Sequence, residues 1–378
     1  MKIKSERVYI GDDFFPAVIE VDGQRISHIL PYGEDCDIDY GTKRIIPGMI
    51  DVHCHGAYGF DTNQADPDGL RNWARKIVTE GVTSFLATTV TEKKEVLLKA
   101  LKNVAQVCNG KYEGADILGV HFEGPYLDMR YKGAQPPEAI ALASVEEFME
   151  YQEAASGLIK IITLAPEHDH DYALTRYCAS HGIVASIGHT GADYSQAVLA
   201  YANGARSITH TYNAMSPFSH RENGVVGLAL RMHGMFSEII CDCNHSTPQA
   251  LRIFFDAKDS GKAIMISDSL MCKGYEPGSK FLFGGHEIEI YPDGSAHLTK
   301  EKNLAGSTMK MNEGLRNLVE RALVPIDKAI NACTCNPASL LGMDRRIGRI
   351  GAGFDADIVV LDEEYEVVQT YCKGAPML

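Results

Sequence analysis

Between positions 49 and 268, eight short apolar, strand-like runs follow one another: "MIDVH", "TSFLATT", "DILGVHFEG", "IKIITLAPE", "IVASIGHT", "SITHTYNA", "SEIICD" and "KAIMISD". Helical patterns lie between many of them, and most connections are long enough for a crossover helix. Eight strands alternating with helices over that length are the bookkeeping of a parallel (β/α)8 barrel. The connection between the sixth and seventh runs is the exception, because it opens with "SPFSHRENGVVG" and reads as a loop. The two ends have another texture. Residues 3 to 46 break into short strands with polar turns, "ERVYI", "AVIEVDG", "QRISHIL" and "KRIIP", and "GRIGAGFDADIVVLDEEYEVVQTYCKG" near the C-terminus resembles them. A small sheet domain built from both termini is expected. "FLFGGHEIEIYPDGSAHLTK" predicts a β-hairpin around Pro292-Asp293-Gly294, inserted after the eighth strand. Helices are expected at about 307–321 and 325–341.

Composition excludes several function classes. A net charge of −14 in 378 residues argues against a nucleic-acid or anionic-membrane surface, which needs a basic field. No run approaches the ~18 apolar residues of a membrane span, and "MKIKSERVYIGDD" lacks the apolar core of a signal peptide. The expected location is cytoplasmic. The ten cysteines are scattered, with Cys241/Cys243 and Cys333/Cys335 forming C-x-C pairs and not C-x-x-C pairs. They read as small buried apolar residues and not as a disulfide framework or a ligand set.

The polar residues at the ends of the apolar runs form a pattern. His53 and His55 end the first run, one residue apart and on the same strand face as Asp51. Glu123 ends the third run, His189 the fifth, His210 the sixth and Asp268 the eighth. A lone histidine at a strand end is more often a satisfied polar group than a ligand. Several of them converging on the carboxyl-terminal rim of one barrel, where such barrels carry their chemistry, are a different matter. Imidazoles with a carboxylate suit a borderline divalent cation: Zn2+ first, with Fe2+, Co2+ or Mn2+ also accommodated. A metal site at the barrel mouth is the expected reading.

The same segments carry a family resemblance. "PGMIDVHCHG", "HFEGPY", "SIGHT", "ITHTYNAMSPFSHRENG", "ISDSL", "LAGSTMKMNEGLRNL" and "NPASLLGMDRRIGRIGAGFDADIVVLD" occur in order from about residue 45 to 362. Together they resemble the amidohydrolase superfamily and, more narrowly, its N-acetylglucosamine-6-phosphate deacetylases. The resemblance implies an α/β fold, a (β/α)8 TIM-type barrel over residues 48–346 with a small β-sandwich domain from residues 1–47 and 347–378. It also implies a homodimer. Glu123, His189 and His210 match the family's metal ligands, and Asp268 matches its acid/base aspartate. The fourth run ends without a lysine, so the lysine-carbamate bridge of some relatives is absent. His53 and His55 leave a second metal position open, giving one or two ions per subunit.

The resemblance further assigns Arg221 and His245 to a phosphate site, one of them reaching across the dimer. Asn213 and Ala214 would face the sugar and phosphate, and Leu304, Ala305 and Gly306 of "LAGS" would line the acetyl end. Two departures stand out. The family's "KGAH" is "KGAQ" here, with Ala134 and Gln135, and Cys243 of "CDCNH" replaces a glycine. The expected activity is metal-dependent removal of the N-acetyl group of N-acetylglucosamine 6-phosphate. Alternatives are its galactosamine epimer or another N-acyl amine on the same machinery, and a non-catalytic sugar-phosphate-binding barrel.

Overall fold

The computed structural model describes all 378 residues, Met1–Leu378. The eight apolar runs become eight strands, Met49–Cys54, Val82–Thr89, Asp116–Glu123, Ile159–Leu164, Val184–Ile187, Ser207–Ile208, Phe236–Ile240 and Ala263–Ile266. They pair in sequence order, every pair parallel. The last strand returns to the first where the Asp268 amide donates to the His53 carbonyl (2.9 Å) and the His55 amide to Ser269 (2.8 Å). The sheet therefore closes into a barrel, termed here by barrel strands one to eight.

The crossover helices begin where the sequence supplies caps. Asp66 accepts from the Asp68 amide, Ser144 from Glu147, Asp193 from Gln196 and Thr247 from Ala250, each pairing a donor that the first helical turn leaves free. Pro67 and Pro248 occupy first helical positions, where a missing N–H costs nothing. The expected loop between strands six and seven is corrected: after an irregular stretch, Gly224–Arg231 is helical. Gly224 opens it at φ +55°, a conformation that glycine adopts without strain, and burial of Val225–Ala229 overrides the low helix propensity of Gly227.

The termini form one mixed sheet, separate from the barrel. Arg44–Pro47 lies antiparallel to Ile358–Leu361 and parallel to Lys2–Ile10, which joins the two chain ends. This sheet has its own apolar core, including Ile3, Val8, Ile19, Ile45, Ile358 and Val360. The expected hairpin after strand eight has a third strand: Lys280–Phe283, His286–Ile290 and Ala296–Leu298 pair in order. The helix expected from 307 starts only at Met311, because Ser307 pairs its backbone with Asp268 and Leu270. The next one breaks at Thr334 into Ile326–Cys333 and Cys335–Leu340. Pro337 accounts for the break, since its ring would clash with the carbonyl four residues back.

Candidate metal centre and active site

Strand order places the ends of strands one, three, five, six and eight around one mouth, and their polar residues meet there. Glu123 Oε1 lies 3.3 Å from His189 Nε2, 3.2 Å from His210 Nε2 and 3.4 Å from His53 Nε2. The two Nε2 atoms of His189 and His210 are 3.0 Å apart. On the other side, His55 Nε2 stands 3.3 Å from Glu123 Oε2 and 3.2 Å from Asp268 Oδ1, and His53 Nε2 is 3.5 Å from Asp268 Oδ1. All six side chains are buried.

This donor set fits a metal. At metal–ligand distances of about 2.0–2.2 Å, tetrahedral ligand atoms stand about 3.3–3.6 Å apart, close to the spacing found here. Glu123 Oε1 and His53 Nε2 are buried without a hydrogen-bond partner, as are His55 Nδ1 and His210 Nδ1. Buried polar atoms are rarely left so, and two of these four face the centre of the set. Two triads can be drawn, Glu123/His189/His210 and His53/His55/Asp268.

The surroundings aim these groups. His189 Nδ1 donates to the Tyr131 carbonyl (3.0 Å), which leaves its Nε2 lone pair facing Glu123 and His210. His53 Nδ1 lies 3.0 Å from Glu238 Oε2, an oxygen that also accepts from the His210 amide at 3.3 Å. Glu238 sits fully buried on strand seven, and burial pushes its carboxyl well above the usual range. Burial likewise opposes ionisation of Glu123, but His53, His189 and His210 around it outweigh burial and hold it well below its ordinary value. For His55, burial lowers the pKa, while hydrogen bonds to Asp268 and Glu123 carry it up to about 10. Asp51 stays out of the set: it accepts from Ser267 Oγ (2.5 Å) and fastens strand one to strand eight.

Backbone strain marks the same residues. His189, His210 and Asp268 have φ of +48°, +27° and +50°, as do Tyr212 (+82°) and Ala214 (+48°) nearby. Such conformations cost about 1–3 kcal/mol each and persist only where surrounding contacts enforce them.

The cleft above the cluster is lined by Ala134, Gln135, Asn213, Ala214, His245, Leu304 and Gly306, as expected, together with Gly133, Leu270 and Phe283. His245 is backed by Asp242, with Nδ1 to Oδ2 at 2.7 Å. Gln135 accepts from the Thr91 amide (2.8 Å) and donates from Nε2 to Glu123 Oε2 (2.5 Å), so its amide braces the carboxylate. Two expected residues lie elsewhere. Ala305 is fully buried, with its amide on Ala296, because chain alternation turns it toward the inserted sheet while its neighbours face the cleft. Arg221 is exposed on the loop before Gly224–Arg231 and is absent from the cleft of this chain. Glu238 and Phe283 were missed. A charge inside the apolar run "SEIICD" was the available signal for Glu238; for Phe283 there was none beyond its place in the insert. A larger hollow between barrel and terminal sheet holds none of the set, and its Lys373 and Asp116 are paired at 2.5 Å.

Residues 44–377 match the amidohydrolase family model. An N-acetylglucosamine-6-phosphate deacetylase of Bacillus subtilis is 42% identical over 87% of this chain and 83% of that protein. One from Bos taurus is 37% identical over 89% of this chain and 84% of its own. Among solved structures, an N-acetyl-D-glucosamine-6-phosphate deacetylase of Mycobacterium smegmatis in complex with N-acetyl-D-glucosamine 6-phosphate superposes with a TM-score of 0.94 at 27% identity, covering 100% of this chain and 99% of that one. The Pasteurella multocida enzyme gives 0.91 at 28%, with the same coverage. With its barrel, its terminal sheet and its rim of histidines and carboxylates, the chain belongs to the N-acetylglucosamine-6-phosphate deacetylase family of the amidohydrolases.

Proposed function

We propose that this chain is a metal-dependent hydrolase that removes the N-acetyl group of N-acetyl-D-glucosamine 6-phosphate, giving D-glucosamine 6-phosphate and acetate. The observation that carries this reading is the meeting of Glu123, His189 and His210 within 3.3 Å of one another, with Asp268 beside them at the floor of one cleft. Those three residues would hold a divalent ion, Zn2+ being the first choice for their chemistry, and His53 and His55 would offer a second position. When bound, such an ion lowers the pKa of a water toward about 7 and polarises the acetyl carbonyl.

The chain's own groups do the rest. Asp268 accepts the proton of the attacking water and delivers it to the departing amine, acting as general base and then general acid. Gln135 and Tyr131 hold Glu123 and His189 in register. His245, held by Asp242 behind it, gives the sugar phosphate a hydrogen-bond partner, and Asn213 and Ala214 flank the path to it. Arg221, exposed in one chain, would grip the phosphate bound to a second copy in the homodimer that the family resemblance implies. The separate core of the terminal sheet supports domain limits at residues 1–47 and 347–378, with the barrel between.

All ten cysteines are free, in keeping with a reducing, cytoplasmic location. No helix is long and apolar enough to cross a membrane.

The test is release of acetate from a panel of N-acetylated hexosamine 6-phosphates and their unphosphorylated forms. N-acetylglucosamine 6-phosphate should give the highest kcat/KM. Preference for the galactosamine epimer would reassign the substrate, and no release from any member would refute the reading.

A further inference from the structure

The cleft has a polar end and an apolar end, set by barrel order. The loops after strands six and seven bring Asn213, Ala214 and His245. The segment after strand eight and the three-stranded insert bring Leu270, Phe283 and Leu304, with Phe283 against His55 of strand one. Within the histidine–carboxylate cluster, His210 borders Asn213 and His55 borders Phe283. On the function proposed above, a sugar phosphate reaching toward His245 leaves the carbonyl carbon over the cluster, so the substituent on its far side points to the apolar end.

We propose that Phe283 sets the size of the acyl group that this site accepts, by closing the apolar end of the cleft against anything longer than acetyl. The ring is 4% exposed and stands edge-on to His55, 5.6 Å between centroids at 73°. It cannot swing aside freely, because it is packed in a buried cluster with Val90, Leu270, Cys272, Ile288 and Ile290. The turn that follows is pinned as well. Gly284, at φ +53°, sits so close to the loop carrying Gln135 that a Cβ there would lie 2.9 Å from Pro136 Cγ. The insert thus acts as a fixed wall whose inner residue is large. A methyl group meets that wall in contact, whereas an added methylene overlaps the ring or forces it off its rotamer.

The experiment measures free amine released from N-acetyl, N-propionyl and N-butyryl glucosamine 6-phosphate by the full-length metal-loaded enzyme and by Phe283→Ala and Phe283→Leu. Leu282→Ser is the control, since that residue is 70% exposed on the other face of the same strand. One methylene in an apolar pocket discriminates by about 10- to 200-fold. Phe283→Ala should therefore raise the propionyl-to-acetyl ratio of kcat/KM at least about tenfold, with Phe283→Leu smaller in the same direction and Leu282→Ser unchanged. Should the alanine variant fail to fold, the leucine variant decides alone. An unchanged ratio in an enzyme that still releases amine from the acetyl substrate overturns the role of Phe283 and leaves the proposed function standing. No amine release from any of the three by the wild type overturns both.

Discussion

Two groups of buried charge lie close together in the chain and behave oppositely. Lys273 and Glu80 are both fully buried and pair at 2.8 Å, and the second oxygen of Glu80 accepts from the Tyr58 hydroxyl at 2.6 Å. Neither side chain has an orphaned atom. Five residues before Lys273, Asp268 belongs to a cluster in which Glu123 Oε1 and His53 Nε2 are buried without a partner. The first group closes on itself and joins the loop after strand eight to the segment before strand two. The second has ligand atoms left over and a strained backbone beneath them. Burying a charge is tolerable only when something answers it. Where the answer lies within the chain, the charge is scaffold; where it must come from outside, the charge is a site.

The comparison breaks most readily at Asp268. Replacing it by Asn keeps the shape of the cluster but removes the ability to take and return a proton. Turnover should fall about 10²–10⁴-fold while metal analysis still finds the ion. Near-normal kcat would show that Asp268 is as structural as Glu80.

Lys273→Met should do the reverse. Glu80 is left buried and uncompensated, at a cost of about 3–5 kcal/mol in denaturant unfolding, while KM for the acetylated sugar phosphate in the folded fraction stays where it was. A loss within the ~0–1 kcal/mol of an exposed pair would mean that the group is not closed as described.

His189→Ala removes one answerable partner from the cluster and should abolish most metal binding. Chelation then discriminates further. An ion present at a hundred times its Kd adds about 2.7 kcal/mol of stability, so stripping it should lower the Tm of the wild type and leave His189→Ala nearly unmoved. Full metal occupancy in the variant would remove His189 from the ligand set.

The smallest effect is expected at Gln135. Its oxygen already accepts from Thr91 and one of its two N–H groups serves Glu123, which holds the amide as a brace and leaves one N–H at most for the acetyl oxygen. Gln135→His should change kcat by well under the ~10²–10³-fold attached to an oxyanion donor. A large rise would return the residue to that role.

Much of this molecule was open to reading from the chain alone. Apolar runs spaced for crossovers announced the barrel, and the polar residues that end runs one, three, five, six and eight are the ones that the structure gathers. Both rest on local periodicity and on one topological rule, that parallel strands in a barrel end at a common rim. The sequence could not show which charges are matched. His53 and Glu238 are 185 residues apart, and Lys273 and Glu80 are 193 apart. Nor could it show that Phe283 turns inward while Leu282 turns out, that Ala305 leaves the cleft, or that Arg221 stays at the surface. Those outcomes depend on which distant side chains share a volume once the barrel has closed, and neither composition nor spacing along the chain records that.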